Sequence, residues 1–105
     1  MEYVYVLKSE KDGNLYVGWT NDLRRRFFKH QQGKVKSTKY RLPIKLIYYE
    51  SCVSRKDAQT REKYLKTAWG KRYLKNRLRN YLTGFPITLN ILWKIIRSSG
   101  NFSES

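Results

Sequence analysis

Hydrophobic positions along this chain change period twice. Residues 3–8, YVYVLK, and 15–20, LYVGWT, are β-branched and aromatic, the composition of half-buried strands. Between them SEKDGN carries the turn-forming pair Asp12-Gly13, so the two strands form an antiparallel hairpin. Two registers are open. A four-residue loop over 9–12 sets Tyr5 opposite Tyr16, and a two-residue turn on Asp12-Gly13 sets Tyr5 opposite Thr20. The pattern then becomes helical. Thr20 or Asn21 caps a helix over about 21–32, with Asp22 in its first turn and Gly33 past its end. On it Asp22, Arg26 and His30 share one edge, beside Leu23 and Phe27. Residues 33–43, GKVKSTKYRLP, read as a basic loop ended by Pro43. IKLIYYE (44–50) reads as a third strand, too apolar on both faces for an exposed edge.

Ser54, with Asp57 three residues on, resembles a capping box that opens a second helix. Its inward stripe is Ala58, Leu65 and Trp69, and Glu62 falls inside that stripe. A carboxylate there needs a cation or hydrogen-bond donors, because burying an unpaired charge costs on the order of several kcal/mol. After Gly70, KRYLKNRLRNYL continues helically, with Leu74, Leu78 and Leu82 inward and Lys71, Lys75 and Arg79 on a basic face. Residues 83–105 open with TGFP, carry a short apolar element at 89–96 and end in a polar tail expected to fray. The expected fold is α/β (α+β): a small three-stranded, mostly antiparallel sheet flanked by helices. Its order is β-β-α-β-α, with a helical extension over about 70–82. A division into a domain over 1–82 and a C-terminal segment over 83–105 follows.

Size and charge narrow the function. A chain of 105 residues fits one domain, which buries about two thirds of the surface its unfolded chain exposes. Lys and Arg number 23 against 8 Asp and Glu, a net charge of +15, and 19 of those bases lie within residues 19–82. At 15% aromatic residues the chain is no disordered basic tail, so the concentrated field predicts a polyanionic partner. Cys52 is the only cysteine and no Cys/His cluster has zinc-site spacing, which favours a reducing, cytoplasmic setting. Nothing at the N-terminus reads as a signal peptide, and no apolar run approaches the roughly 20 residues of a membrane helix. The nearest, ITLNILWKII, contains Lys94.

YVYVLKS, LYVGWTNDLRRRFFKH and REKYLK together closely resemble the GIY-YIG nuclease superfamily, in particular its small stand-alone bacterial members. Tyr3-Val4-Tyr5 stands where that family has Gly-Ile-Tyr, and Tyr16-Val17-Gly18 where it has Tyr-Ile-Gly. Arg26 matches its helix arginine, His30 a position held by His or Tyr, and Glu62 its metal-binding glutamate. The resemblance covers about residues 1–67. It implies hydrolysis of phosphodiester bonds in DNA through one divalent cation, Mg²⁺ or Mn²⁺, with no small-molecule cofactor. By that likeness Glu62 holds the metal, Arg26 grips the scissile phosphate, Tyr16 is the general base with Tyr5 as its hydrogen-bonding partner, and His30 is an auxiliary base or phosphate contact. A role in DNA repair or recombination, with selection of branched or broken DNA, is the expectation.

Each residue also has a plainer reading. Strand tyrosines pack, Arg24, Arg25 and Arg26 form a solvated or phosphate-binding face, and Glu62 pairs with Arg26, His30 or Lys66 without a metal. Trp19 stands where several family nucleases carry Lys or another polar residue, and Leu74 where the family often has Asn, with Asn76 near but out of register. These departures support an alternative, a catalytically degenerate nucleic-acid-binding protein of the same fold; a basic protein bound to ribosomal RNA explains the charge alone. For either, Arg24, Arg25, Lys34, Lys36, Lys39 and Arg41 line a groove that Lys71, Arg72, Lys75 and Arg79 extend, and Ser37 and Thr38 add hydroxyl donors.

Overall fold

The computed structural model describes residues 1–83 and 102–104. Strand β1 (Glu2–Ser9) and strand β2 (Leu15–Thr20) form the antiparallel hairpin. The register is neither of the two expected. Ser9 and Asn14 close the turn, with Gly13 N–H donating to Ser9 O and Ser9 N–H to Asn14 O, each at 2.9 Å, so Tyr5 faces Gly18. Gly13 adopts φ 74°, the left-handed conformation that glycine takes at no steric cost. Both expected registers miss by two residues, an even slip, so Tyr5 and Tyr16 still share one face. Leu7 is the residue opposite Tyr16.

Strand β3 (Ile44–Cys52) pairs antiparallel with β1, which makes β1 central and β3 an edge. That corrects the interior place expected for β3. A bulge explains its unbroken apolar run: Val6 faces Tyr48 and Leu7 faces Leu46, so Ile47 is the extra residue. Ile47 and Tyr48 consequently pack toward one face of the sheet, while Ile44 and Leu46 pack toward the other. Beyond β2 lies a short fourth strand, β4 (Phe102–Glu104), parallel to β2. The tail expected to fray therefore adds a strand to the three antiparallel ones; the apolar element at 89–96 lies outside the described residues.

Helices cover both faces. Helix α1 (Leu23–Gln31) starts at Asp22, whose carboxylate accepts from Arg25 N–H at 3.1 Å, so the cap is Asp22 rather than Thr20 or Asn21. Its Leu23 and Phe27 close over Tyr5, Leu7, Tyr16 and Ile44. Helix α2 (Arg55–Leu65) begins at the expected Ser54 cap, and helix α3 (Ala68–Arg77) follows from Thr67, whose hydroxyl accepts from Gly70 N–H at 3.2 Å. A short helix α4 (Arg79–Leu82) completes the expected extension. Ala58, Leu65 and Leu74 cover the opposite face, against Val4, Val6, Leu15 and Val17. The break at Lys66–Thr67 resets the helical phase. Trp69, expected inward, is 67% exposed, and Gly70 takes the buried position beside Leu65.

Candidate active site

The sheet centre and α1 bring three of the candidate residues into direct contact. Tyr5, fully buried on β1, places its hydroxyl 3.0 Å from His30 Nε2 and accepts from Arg26 Nε–H at 3.3 Å. Arg26 and His30 are one helical turn apart on α1, which is why both reach the same strand residue. On its other side His30 Nδ1 lies 2.7 Å from Thr38 Oγ1. Thr38 comes from the loop after α1 and is fully buried, so it supplies no surface donor to nucleic acid. A loop residue carries no periodicity that would signal this.

Burial, with Arg26 beside it, pulls the His30 pKa from 6.5 down to about 4. The imidazole is therefore neutral at physiological pH and does not titrate near neutrality as expected. It is also wholly enclosed, beneath Tyr5. Tyr16 lies in the same apolar cluster as Tyr5 and is 1% exposed.

Glu62 sits elsewhere. Its helix α2 packs on the face opposite Tyr5 and Tyr16, between buried Ala58 and Leu65, and its carboxylate accepts from Lys66 Nζ at 3.2 Å. Of the three partners the sequence left open for it, the structure selects Lys66. Trp19 is on this same face, where its indole N–H donates to Glu2 at 3.1 Å and the Arg55 guanidinium lies 5.1 Å above its ring. The Arg55 guanidinium of α2 thus brings a cation beside Trp19.

Sequence reading also missed a polar clamp. Arg61 of α2 grips Glu50 of β3 through two N–H donors at 2.8 and 2.9 Å, with Tyr48 O–H donating to the same carboxylate at 2.8 Å. Burial would raise the Glu50 pKa, but the bonds from Arg61 and Tyr48 hold it below the ordinary carboxylate value. Arg61 also lies over the Tyr73 ring at 4.5 Å, so β3, α2 and α3 are joined in one cluster.

The expected basic groove divides in two. Arg24, Arg25, Lys34, Lys36, Lys39 and Arg41 are exposed on α1 and its loop, Arg41 in an ion pair with Asp12 at 2.9 Å. Lys71, Arg72, Lys75 and Arg79 belong to α3 and the start of α4, and α3 packs on the other face of the sheet. Among the described residues, no three His, Cys, Asp or Glu side chains cluster to hold a metal, and no helix is long and apolar enough to cross a membrane.

The family model of the GIY-YIG catalytic domain matches residues 1–77. The chain belongs to the GIY-YIG family. The match runs ten residues beyond the segment that carried the resemblance and takes in α3. A Clostridium perfringens UPF0213 protein is 48% identical over 67 residues, 63% of this chain and 71% of that protein. A Streptococcus pneumoniae UPF0213 protein is 46% identical over 65 residues, 61% of this chain and 65% of that one. One from Staphylococcus saprophyticus is 39% identical over 74 residues, 70% of this chain and 89% of its own length. The solution structure of the UPF0213 protein BH0048 from Bacillus halodurans is 36% identical, with a TM-score of 0.45 over 70% of this chain and 82% of that one.

Proposed function

We propose that this GIY-YIG protein is a metal-dependent endonuclease that hydrolyses phosphodiester bonds in DNA, selects its substrate by structure and serves DNA repair or recombination. The observation that carries the reading is the seating of Arg26. Its Nε is committed to the Tyr5 hydroxyl, and the half-buried side chain retains its two Nη groups to bind a phosphate through paired donors. The guanidinium stays charged throughout, which suits charge developing on the phosphoryl oxygens. Tyr16, beside Tyr5 in the same cluster, is the proposed general base; at 1% exposed it meets the attacking water only if substrate binding opens that cluster, and a phenol qualifies only where nearby positive charge favours its phenolate.

Glu62 fits a Mg²⁺ or Mn²⁺ site of the kind that takes one carboxylate and fills its remaining positions with water and phosphate oxygens, once Lys66 yields. A divalent cation held there would supply Lewis-acid polarisation of the phosphoryl group and stabilise the leaving oxygen; because α2 packs on the sheet face opposite Tyr5 and Tyr16, this requires the substrate to pass the rim of the sheet between Glu62 and Arg26. Substrate choice by DNA shape follows from the phosphate-directed character of the exposed bases on α1 and its loop, contacts that carry no base sequence information.

The test is cleavage of labelled linear, nicked, flapped and four-way-branched DNA with Mg²⁺ or Mn²⁺, comparing wild type with Glu62→Ala and Tyr16→Phe. Metal-dependent cutting that both substitutions abolish, with binding retained, is the expected result. The Glu62–Lys66 ion pair also favours a second reading, a binding protein without catalysis. Tight binding with no cutting of any of these substrates or of RNA would establish that reading instead.

A further inference from the structure

The contacts around Tyr5 form a line from the interior to the surface. Thr38, His30 and Tyr5 are fully buried, and Arg26, at the outer end, is half-buried. The turn that carries Thr38 is held by its own backbone, with Thr38 N–H donating to Val35 O at 3.1 Å and Arg41 N–H donating to Thr38 O at 2.9 Å. The hydroxyl is therefore in place before any substrate arrives.

Counting protons gives the line a direction. A guanidinium Nε only donates, so the Tyr5 oxygen accepts from Arg26. The hydrogen of the Tyr5 hydroxyl then has one acceptor beside it, His30 Nε2. If Nε2 carried the imidazole proton, that phenolic hydrogen would be buried without a partner, a state native proteins rarely tolerate. Nε2 is therefore bare. A neutral imidazole has one proton, which consequently sits on Nδ1, facing Thr38 Oγ1 at 2.7 Å.

We infer that Thr38 is a positioning residue of the nuclease site: by accepting Nδ1–H it supports the tautomer that the Arg26–Tyr5 bond selects and holds the ring angle of His30, which keeps the Tyr5 hydroxyl hydrogen inward and its lone pair outward onto Arg26. The inference rests on the nuclease reading for its consequence in cleavage, but not for the tautomer. No member of the line gains or loses a proton. What Thr38 contributes is the angle at which the guanidinium meets phosphate, and errors in such angles are costly because catalysis by positioning decays steeply with misplacement.

The test uses the fact that the chain has a single histidine, so long-range ¹H–¹⁵N spectra of the imidazole need no assignment. Wild type, Thr38→Ser and the near-isosteric Thr38→Val are compared at neutral pH, together with single-turnover DNA cleavage. Wild type and Thr38→Ser are expected to show protonated Nδ1 and bare Nε2. Thr38→Val should shift the proton to Nε2 or average the two, and lower the single-turnover rate at saturating DNA by roughly tenfold to a hundredfold with the half-saturating concentration little changed. Thr38→Ser should restore most of the rate. A wild-type proton on Nε2, or a Thr38→Val protein that keeps both the Nδ1 proton and the full single-turnover rate, would overturn the assignment. If wild type cuts no DNA, the nuclease reading fails by itself while the spectra still decide the role of Thr38. If Thr38→Val does not fold, Thr38→Ala, which also removes the hydroxyl, is scored by the same spectra and rates.

Discussion

Arg26 Nε donates to the Tyr5 hydroxyl at 3.3 Å, which ties a helix side chain to an inner strand of the sheet. The bond occupies the one guanidinium nitrogen that points back along the side chain and leaves the fork outward. Lysine at this position keeps the charge but has a single nitrogen, so it cannot hold Tyr5 and present paired donors together. Arg26→Ala is expected to slow DNA cleavage by about 10²- to 10³-fold and Arg26→Lys by at least about tenfold, the range seen when one preorganised donor is removed from a transition state. Binding should weaken far less, because the exposed bases Arg24, Arg25, Lys34, Lys36 and Lys39 remain available to phosphates. Wild-type cleavage by Arg26→Lys would show that charge alone suffices.

The buried imidazole makes stability depend on pH. The His30 pKa is about 4 in the folded protein against an ordinary 6.5, so the unfolded chain takes up a proton first as pH falls. The native state is therefore unaffected above about pH 6.5 and loses stability progressively between there and about pH 4, by an amount on the order of 2–3 kcal/mol. Urea unfolding of wild type and His30→Gln across pH 4 to 7 measures this. Glutamine does not titrate, so the slope in this window should flatten. An unchanged slope would assign the acid sensitivity to carboxylates instead.

How far the sequence revealed this arrangement depends on the kind of cue. Strands and helices were legible because their period is local, and Ser54 was legible as a cap because its partner is three residues away. Tyr5, Tyr16, Arg26, His30 and Glu62 were legible as a set through the resemblance; the structure brings Tyr5, Arg26 and His30 into contact, keeps Tyr16 in the Tyr5 cluster and sets Glu62 on a helix that packs on the opposite face. What escaped was non-local. Thr38 looked like a surface hydroxyl until the fold of its loop placed it against His30. Trp69 was misplaced because Thr67 starts a new helix and shifts the phase by part of a turn. The hairpin register escaped because Ser9 and Asn14 close a turn that neither Asp12-Gly13 nor a loop over 9–12 announces.

The two groups of basic residues should behave differently. Lys34, Lys36 and Lys39 belong to the loop that follows α1, on the Tyr5 side of the fold, whereas Arg72 and Arg79 belong to α3 and α4. Replacing the three loop lysines by Gln is expected to weaken DNA binding and flatten its dependence on log salt by about 0.9 for each phosphate no longer neutralised, while also reducing cleavage at limiting DNA. Arg72→Gln with Arg79→Gln should leave cleavage close to wild type at saturating DNA. Salt titrations of affinity with parallel single-turnover rates make the comparison. Equal reductions of rate in both sets would mean that one DNA spans both faces.

Gly70 shows how close the two helices on the Val4 face approach. A Cβ built on it would lie deep inside contact distance of Tyr64 O and Leu65 Cα, and 2.7 Å from Leu65 C. These are backbone atoms at the end of α2, so no rotamer change relieves the overlap. Two effects compete in Gly70→Ala. Alanine favours the helix by about 1 kcal/mol, whereas overpacking against atoms that cannot yield costs about 3 kcal/mol or more. The clash wins, because α3 can accept the methyl group only by moving away from α2 and loosening the cluster that holds Leu65 and Leu74. A net destabilisation of about 2 kcal/mol corresponds to a fall in Tm of roughly 8–16 °C for a domain of this size. Thermal unfolding of the variant followed by circular dichroism measures it, and a Tm equal to or above that of wild type would mean that the helices are not in contact at this glycine in solution.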